Sequence, residues 1–278
     1  MEIIVAKHAG FCEGVERAFQ IALAAAKTKK KIYMLGDIVH NSQVVAKFKE
    51  LGVKTIKDLS EIPKGEKASV IISAHGVPPQ IRKITKEMHL EIINTTCSWV
   101  KRAQELATKL SKEGRQVIIL GDKGHPEVEG LKGWAGENSV VVEKASEVEK
   151  INLGEKVGLI AQTTQSQENF NEVSHALKVR VKDLRVENTI CGATQKRQKA
   201  AVELAKKVDL MIVVGDFKSA NTKRLTELCL KTGTETVQIE KALELGNIPK
   251  GKNKIGVTAG ASTPDWIINE VLKYLKNL

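Results

Sequence analysis

The sequence predicts an α/β protein built as three pseudo-equivalent αβα lobes with parallel sheets, and three observations carry that prediction. A frame of cysteine, amphipathic helix, apolar strand and Gly-Asp occurs three times along the 278 residues. The cysteine precedes the glycine by 24 positions each time: Cys12 to Gly36, Cys97 to Gly121, Cys191 to Gly215. Apolar strands alternate with helix-length periodic segments, the rhythm of parallel βαβ units whose ligands gather at the carboxyl ends of strands. Three matches in register argue for an internal triplication.

In chain order the first repeat opens with the strand EIIVAK, then Cys12 and the helix VERAFQIALAAAK, closed by the lysine run Lys29 to Lys31. Cations at a helix end complement its dipole. KIYML is the next strand, and SQVVAKFKELG is a helix with an N-cap serine and a terminal glycine. VKTI and SVIISAHGV follow as strands, then the helix PQIRKITKEMH. The second repeat runs from LEIINTTC through a helix on which Val100, Ala103, Leu106, Ala107 and Leu110 recur at helical spacing until Gly114 stops it. QVIIL reads as a buried strand, and VGLIAQTTQS closes the repeat before the helix QENFNEVSHALKVRV. RVENTIC leads into the third helix, LMIVV repeats the strand, and KIGVTAGAST precedes the last helix, PDWIINEVLKYLKNL.

Only 4% of the residues are aromatic, so the cores are aliphatic. No apolar run reaches the roughly 20 residues a membrane span needs, and no secretory signal is visible, so a cytoplasmic protein without a membrane partner is expected. The net charge of +11 fits nucleic acid, an anionic substrate or an acidic protein partner. Most of the 44 basic residues read as a solvated surface. No helix-turn-helix, zinc knuckle or basic-aromatic stripe is present, so nucleic acid is not expected.

Four cysteines in such a chain are not a disulfide framework. Cys229, inside LTELCLK, reads as an ordinary core cysteine. Cys12, Cys97 and Cys191 each stand between a strand and a helix N-terminus, where the dipole and free N–H groups favour the thiolate, the form that binds metal. Three lobes around an axis would bring the three thiolates to one point. Structural zinc normally takes four closed ligands, and an iron–sulfur cluster usually takes four cysteines. Three leave one iron open to substrate or water. His40, His75 and His125 end strands, where a histidine is commonly only a cap; beside them lie Thr163, Thr164, Ser219, Asn221 and Ser262. Such donors suit an anion, and no nucleotide loop is present to bind one instead. Glu127 is a candidate proton relay, or simply an exposed acid in a first helical turn. Asp37, Asp122 and Asp216 recur in the frame and are expected to fix loops.

AGFC (9–12), GDIVHN (36–41), SAHG (73–76), TTC (95–97), GHPEVEG (124–130), QTT (162–164), TIC (189–191), SAN (219–221) and TAGAS (258–262) together give a chain that resembles the LytB-type reductases of the methylerythritol phosphate route to isoprenoids, almost from end to end. The resemblance implies three lobes, 13–97, 98–190, and 1–12 with 191–278, arranged around a central 4Fe-4S iron–sulfur cluster. It implies Cys12, Cys97 and Cys191 as ligands and His40, His75, Ser219, Asn221 and Ser262 around a diphosphate, with His125 beside them. Glu127 would deliver a proton, and Thr163 and Thr164 would orient the substrate's hydroxyl. The implied reaction removes the allylic hydroxyl of 4-hydroxy-3-methylbut-2-enyl diphosphate with two electrons and two protons, giving isopentenyl and dimethylallyl diphosphates. Ferredoxin or flavodoxin would supply the electrons. Glu13, Ser98, Gln104 and Gly192 depart from the family's usual residues. A paralogue reducing another allylic or unsaturated substrate, and a non-catalytic metal-bearing sensor, are the alternatives.

Overall fold

The computed structural model describes residues 1–28, 31–246 and 251–277. Lys29 and Lys30, of the run expected to close the first helix, lie outside the described residues, as does Leu278 at the end of the last helix. Ten α-helices and twelve strands occur among the described residues, and the strands form three four-stranded sheets in which every pairing is parallel. No helix among them is long and apolar enough to cross a membrane.

The first sheet holds β2 (Ile32–Leu35), β3 (Lys54–Ile56), β4 (Ser69–Ile72) and β5 (Glu91–Asn94) in the order β3-β2-β4-β5. The second holds β6 (Gln116–Leu120), β7 (Ser139–Val142), β8 (Lys156–Ala161) and β9 (Asp183–Val186) in the order β7-β6-β8-β9. The third repeats the order with β11 (Glu235–Ile239), β10 (Leu210–Val214), β12 (Lys254–Ala259) and β1 (Glu2–Val5). EIIVAK, the first strand in chain order, lies in the third sheet with the segments of 191–278 and not at the head of the first: β1 pairs with β12, Val5 opposite Val257. Likewise LEIIN and RVENTIC, read as opening repeats, contribute the last strand of the preceding sheet. Each cysteine thus follows the last strand of one sheet and precedes a helix: α1 (Glu13–Ala26), α4 (Ser98–Lys112) or α8 (Gly192–Ala205).

By contact density the chain divides into two units. One comprises Met1–Glu16, His40–Val44 and Gly192–Leu278 and contains the third sheet. Leu210, Ile212 and Val214 face Ile267, Ile268 and Val271 of α10 (Asp265–Lys276). Met211 and Val213 face Ala201 and Leu204 of α8 and Leu225 of α9 (Ala220–Leu230). Alternate residues of one strand are buried against opposite layers, which is why the run is apolar throughout.

The other unit, Arg17–Val39 with Val45–Cys191, contains the first two sheets. In the second, Ile118 and Leu120 pack on Phe170, Val173 and Leu177 of α7 (Gln167–Arg180). Val117 and Ile119 pack on Ala103, Ala107 and Leu110 of α4 and Leu131 of α5 (Pro126–Ala135). Each fully buried Leu or Ile here contributes about 1.5–3 kcal/mol.

The three repeated glycines close one hydrogen bond in triplicate: Gly36 N–H to Ile56 C=O at 2.8 Å, Gly121 to Val142 at 2.9 Å, Gly215 to Ile239 at 2.8 Å. Their reasons differ. Gly36 turns at φ +69° in open space, a left-handed conformation, whereas a Cβ on Gly121 would lie 2.6 Å from Val128 Cγ2.

Candidate functional site

None of the four cysteines forms a disulfide. Cys97 caps α4 through its backbone: Lys101 N–H donates to its carbonyl at 2.9 Å, and its side chain is not used as the cap. Cys12 does the same for α1, accepting from Glu16 N–H at 2.8 Å. The amides of Cys97 and Cys191 both donate at 3.0 Å into the loops that follow β4 and β8, to the carbonyls of Ala74 and Thr163. Those strand-end loops, SAHG and QTT, hold the candidate residues His75 and Thr164 one step further on. Glu13, the residue after Cys12, is the first residue of α1, where the dipole offsets its charge. Cys229 is fully buried on α9 beside Leu225, and burial pushes its thiol up to about 11, so it is an inert core residue.

In the unit with the first two sheets, Glu127 is the central group. Pro126 at the first helical position and His125 as N-cap start α5 there. His125 Nδ1 accepts the Glu127 N–H at 3.1 Å, which leaves the proton of the neutral imidazole on Nε2 as a donor. The His75 and His125 rings meet edge to face with centroids 5.2 Å apart. Glu127 is not the exposed first-turn acid that its position allows: it is 2% accessible. Its Oε1 accepts from Thr163 N–H at 2.6 Å and its Oε2 from Thr163 Oγ1 at 2.9 Å. Burial pushes the carboxyl up to about 7, the two Thr163 hydrogen bonds oppose the rise, and the Asp122 charge adds to it. Thr163 therefore joins Glu127 on one side to the Cys191 amide on the other; Thr164 is half-buried beside it.

In the other unit, Ser219 caps α9, accepting the Thr222 N–H at 3.3 Å, and Ser262 Oγ donates to Ser219 Oγ at 3.3 Å. Asn221 Oδ1 accepts Ala261 N–H at 2.9 Å, while its buried Nδ2 has no hydrogen-bond partner among the described residues. Ser219, Asn221 and Ser262 thus form one donor cluster; His40, in the same unit, is half-buried ahead of α2 (Ser42–Glu50). Asp216 is a loop fastener as expected, accepting from Lys218 N–H at 2.7 Å and Ser42 N–H at 3.1 Å.

Three supporting residues were not singled out by sequence reasoning. Asn41 Oδ1 accepts the Gln43 and Val44 N–H groups, both at 3.1 Å, and so caps α2 in place of Ser42, the serine expected there, which is instead the first residue of the helix. Gln162, fully buried, accepts the Asp122 N–H at 2.8 Å and ties the QTT loop to the Gly-Asp turn. Arg197, 2% accessible on α8, donates to Gly10 C=O at 2.7 Å, two residues before Cys12. Nothing in RQKAAVELAKK distinguishes it from its solvated neighbours.

The chain matches the LytB protein family over residues 3–276. It is 46% identical over 273 residues to a 4-hydroxy-3-methylbut-2-enyl diphosphate reductase of Pelobacter propionicus, covering 98% of this chain and 96% of the relative. A reductase of the same name from Geobacter metallireducens is 44% identical over 279 residues, covering 100% of this chain and 98% of the relative. Among solved structures, the E-1-hydroxy-2-methyl-but-2-enyl-4-diphosphate reductase of Plasmodium falciparum superposes with a TM-score of 0.93 at 33% identity, over 100% of this chain and 87% of that one. A second, the (E)-4-hydroxy-3-methyl-but-2-enyl diphosphate reductase described as the terminal enzyme of the non-mevalonate pathway, gives 0.71 at 40% identity with full coverage of both chains.

Proposed function

The chain belongs to the LytB protein family of iron–sulfur oxidoreductases, and from that premise we propose that it reduces 4-hydroxy-3-methylbut-2-enyl diphosphate. The allylic C–O bond breaks, two electrons and two protons enter, water leaves, and isopentenyl or dimethylallyl diphosphate forms according to which end of the allyl unit is protonated. The relatives' shared name favours this substrate over a paralogue's, and gives the sensor reading no support.

Cys12, Cys97 and Cys191 hold the cluster, which we read as 4Fe-4S. The donor set fits: three cysteines outside disulfides, each immediately before a helix whose N–H groups stabilise a thiolate. Bound there, the cluster supplies the electrons and a Lewis-acidic iron. His40, His75, His125, Ser219, Asn221 and Ser262 bind the diphosphate, supported by the Nε2 proton of His125 and the unsatisfied Nδ2 of Asn221.

Glu127 carries the reading. A carboxyl held near 7 is present in both protonation states at neutral pH, the condition for giving up a proton and regaining it. Because Thr163 N–H must donate to Oε1, the acid proton resides on Oε2, facing Thr163 Oγ1. As the protonated acid Glu127 donates to that hydroxyl, reversing the bond it accepts as a carboxylate, and Thr163, with Thr164, passes its own proton on and orients the leaving hydroxyl. The electron donor is ferredoxin or flavodoxin, an acidic carrier for a chain of charge +11. Cysteines without disulfides support a cytoplasmic setting.

The test is anaerobic turnover of this diphosphate with a chemically reduced viologen, products separated by chromatography. Formation of the two C5 diphosphates is expected; a four-iron protein that leaves the substrate intact overturns the assignment.

A further inference from the structure

The surface around the start of α4 has a charge pattern that the reaction itself does not use. A cleft of about 380 Å³ lies there, lined by Arg82 of α3 (Pro79–Glu87), by Lys101, Gln104 and Glu105 of α4, and by Trp134 of α5. The Arg82 guanidinium lies over the Trp134 ring at 5.4 Å, and the indole N–H is anchored to Val77 C=O at 3.0 Å. Gln104 is 3% accessible, and its Nε2 is sealed behind the cleft wall, where a Cβ on Gly76 would clash with it. Arg82 and Lys101 line the cleft with a single carboxylate, Glu105, and Lys83, Lys86 and Arg102 stand near them along α3 and α4 with Glu87. Lys83 meets Glu87 only at 3.9 Å with both side chains exposed, a pair worth little. Ile84 and Ile92 add exposed apolar area at 39% and 37%.

Position gives the patch its meaning. Lys101 lies one helical turn from Cys97, about 6 Å along the axis. The other two cysteine-led helices lack the combination. The first turn of α1 carries Glu13 and Glu16, which repel an anionic surface. α8 follows Cys191, which is only 8% accessible, whereas Cys97 is half-exposed.

We propose that this cleft is the docking surface for a small acidic electron-carrier protein, delivering electrons by way of Cys97. The proposal rests on the reductase reading. An acidic side chain of the carrier pairs with Arg82 and Lys101 in the cleft, while the flanking lysines steer the encounter.

The test uses the anaerobic holoenzyme and an oxidised acidic flavodoxin, with Kd measured calorimetrically at low salt for the wild type, for Arg82→Glu/Lys101→Glu and for a control, Lys196→Glu/Lys199→Glu on α8. The cleft reversal is expected to weaken binding at least about tenfold and to flatten its salt dependence, with the control unchanged. Viologen-driven turnover should stay within about twofold of wild type in both. Should the reversal lose iron, the neutral pair Arg82→Gln/Lys101→Gln decides, with a weakening of several-fold expected. Unchanged affinity in the cleft variants, or an equal loss in the control, overturns the docking surface. Wild-type enzyme that fails with viologen refutes the reductase reading instead, and the affinities judge the surface separately.

Discussion

Replacing Glu127 by glutamine removes one ionisable proton and almost nothing else. The amide can keep both contacts, its oxygen accepting from Thr163 N–H and its nitrogen donating to Thr163 Oγ1 in place of the acid proton. Raising a carboxyl from 4.5 to about 7 costs the folded, ionised protein about 3 kcal/mol. As pH rises through the unfolded value near 4.5, the unfolded chain releases its proton first. Stability therefore falls with pH between about 4.5 and 7 and is level on either side. Glu127→Gln should match wild type near pH 4 and gain up to about 3 kcal/mol by pH 8, read from anaerobic urea unfolding at both pH values. Turnover should move the other way, falling by about 10²–10⁴-fold with iron content and diphosphate affinity retained. In wild type, kcat should decline above about pH 7 as the donor ionises. Near wild-type turnover in the variant would refute proton delivery, and a pH-independent stability difference would refute the raised pKa.

Thr163→Val keeps the backbone donor to Glu127 but deletes the hydroxyl that opposes the carboxyl's upward shift, so the alkaline limb of kcat should move to higher pH while kcat itself drops at least about tenfold. An unmoved limb would show that Glu127 does not set it. Cys229→Ser should leave the iron-to-protein ratio unchanged, because that thiol is sealed in the α9 core; loss of iron there would mean the ligands are wrongly assigned. Arg197→Met should lower stability by about 1–3 kcal/mol, since it strands the Gly10 carbonyl, and should slow iron uptake at Cys12 in anaerobic reconstitution. A melt and an uptake rate like wild type would remove Arg197 from that role.

Local order was legible from the chain alone. The helices after Cys12, Cys97 and Cys191, the strands KIYML, QVIIL and LMIVV, and the turns at Gly36, Gly121 and Gly215 follow from periodicity, branched side chains and turn residues, all acting within a few positions. The spacing of 24 exposed the triplication for the same reason, because equivalent positions carry equivalent local demands. What lay beyond reach depends on partners far along the chain. EIIVAK joins β12 some 250 positions away; nothing in its four strand residues selects that neighbour, and only the family resemblance, not the strand's own pattern, groups 1–12 with 191–278. Glu127 reads as a surface acid in a first helical turn; it becomes a buried group near 7 only because the strand-end loop at Thr163 closes over it. Arg197 looks like its solvated neighbours until Gly10 is brought against it. Propensity and periodicity are short-range and can be read in one dimension. Burial, desolvation and parallel pairing are collective, and they exist only once distant segments have been brought together.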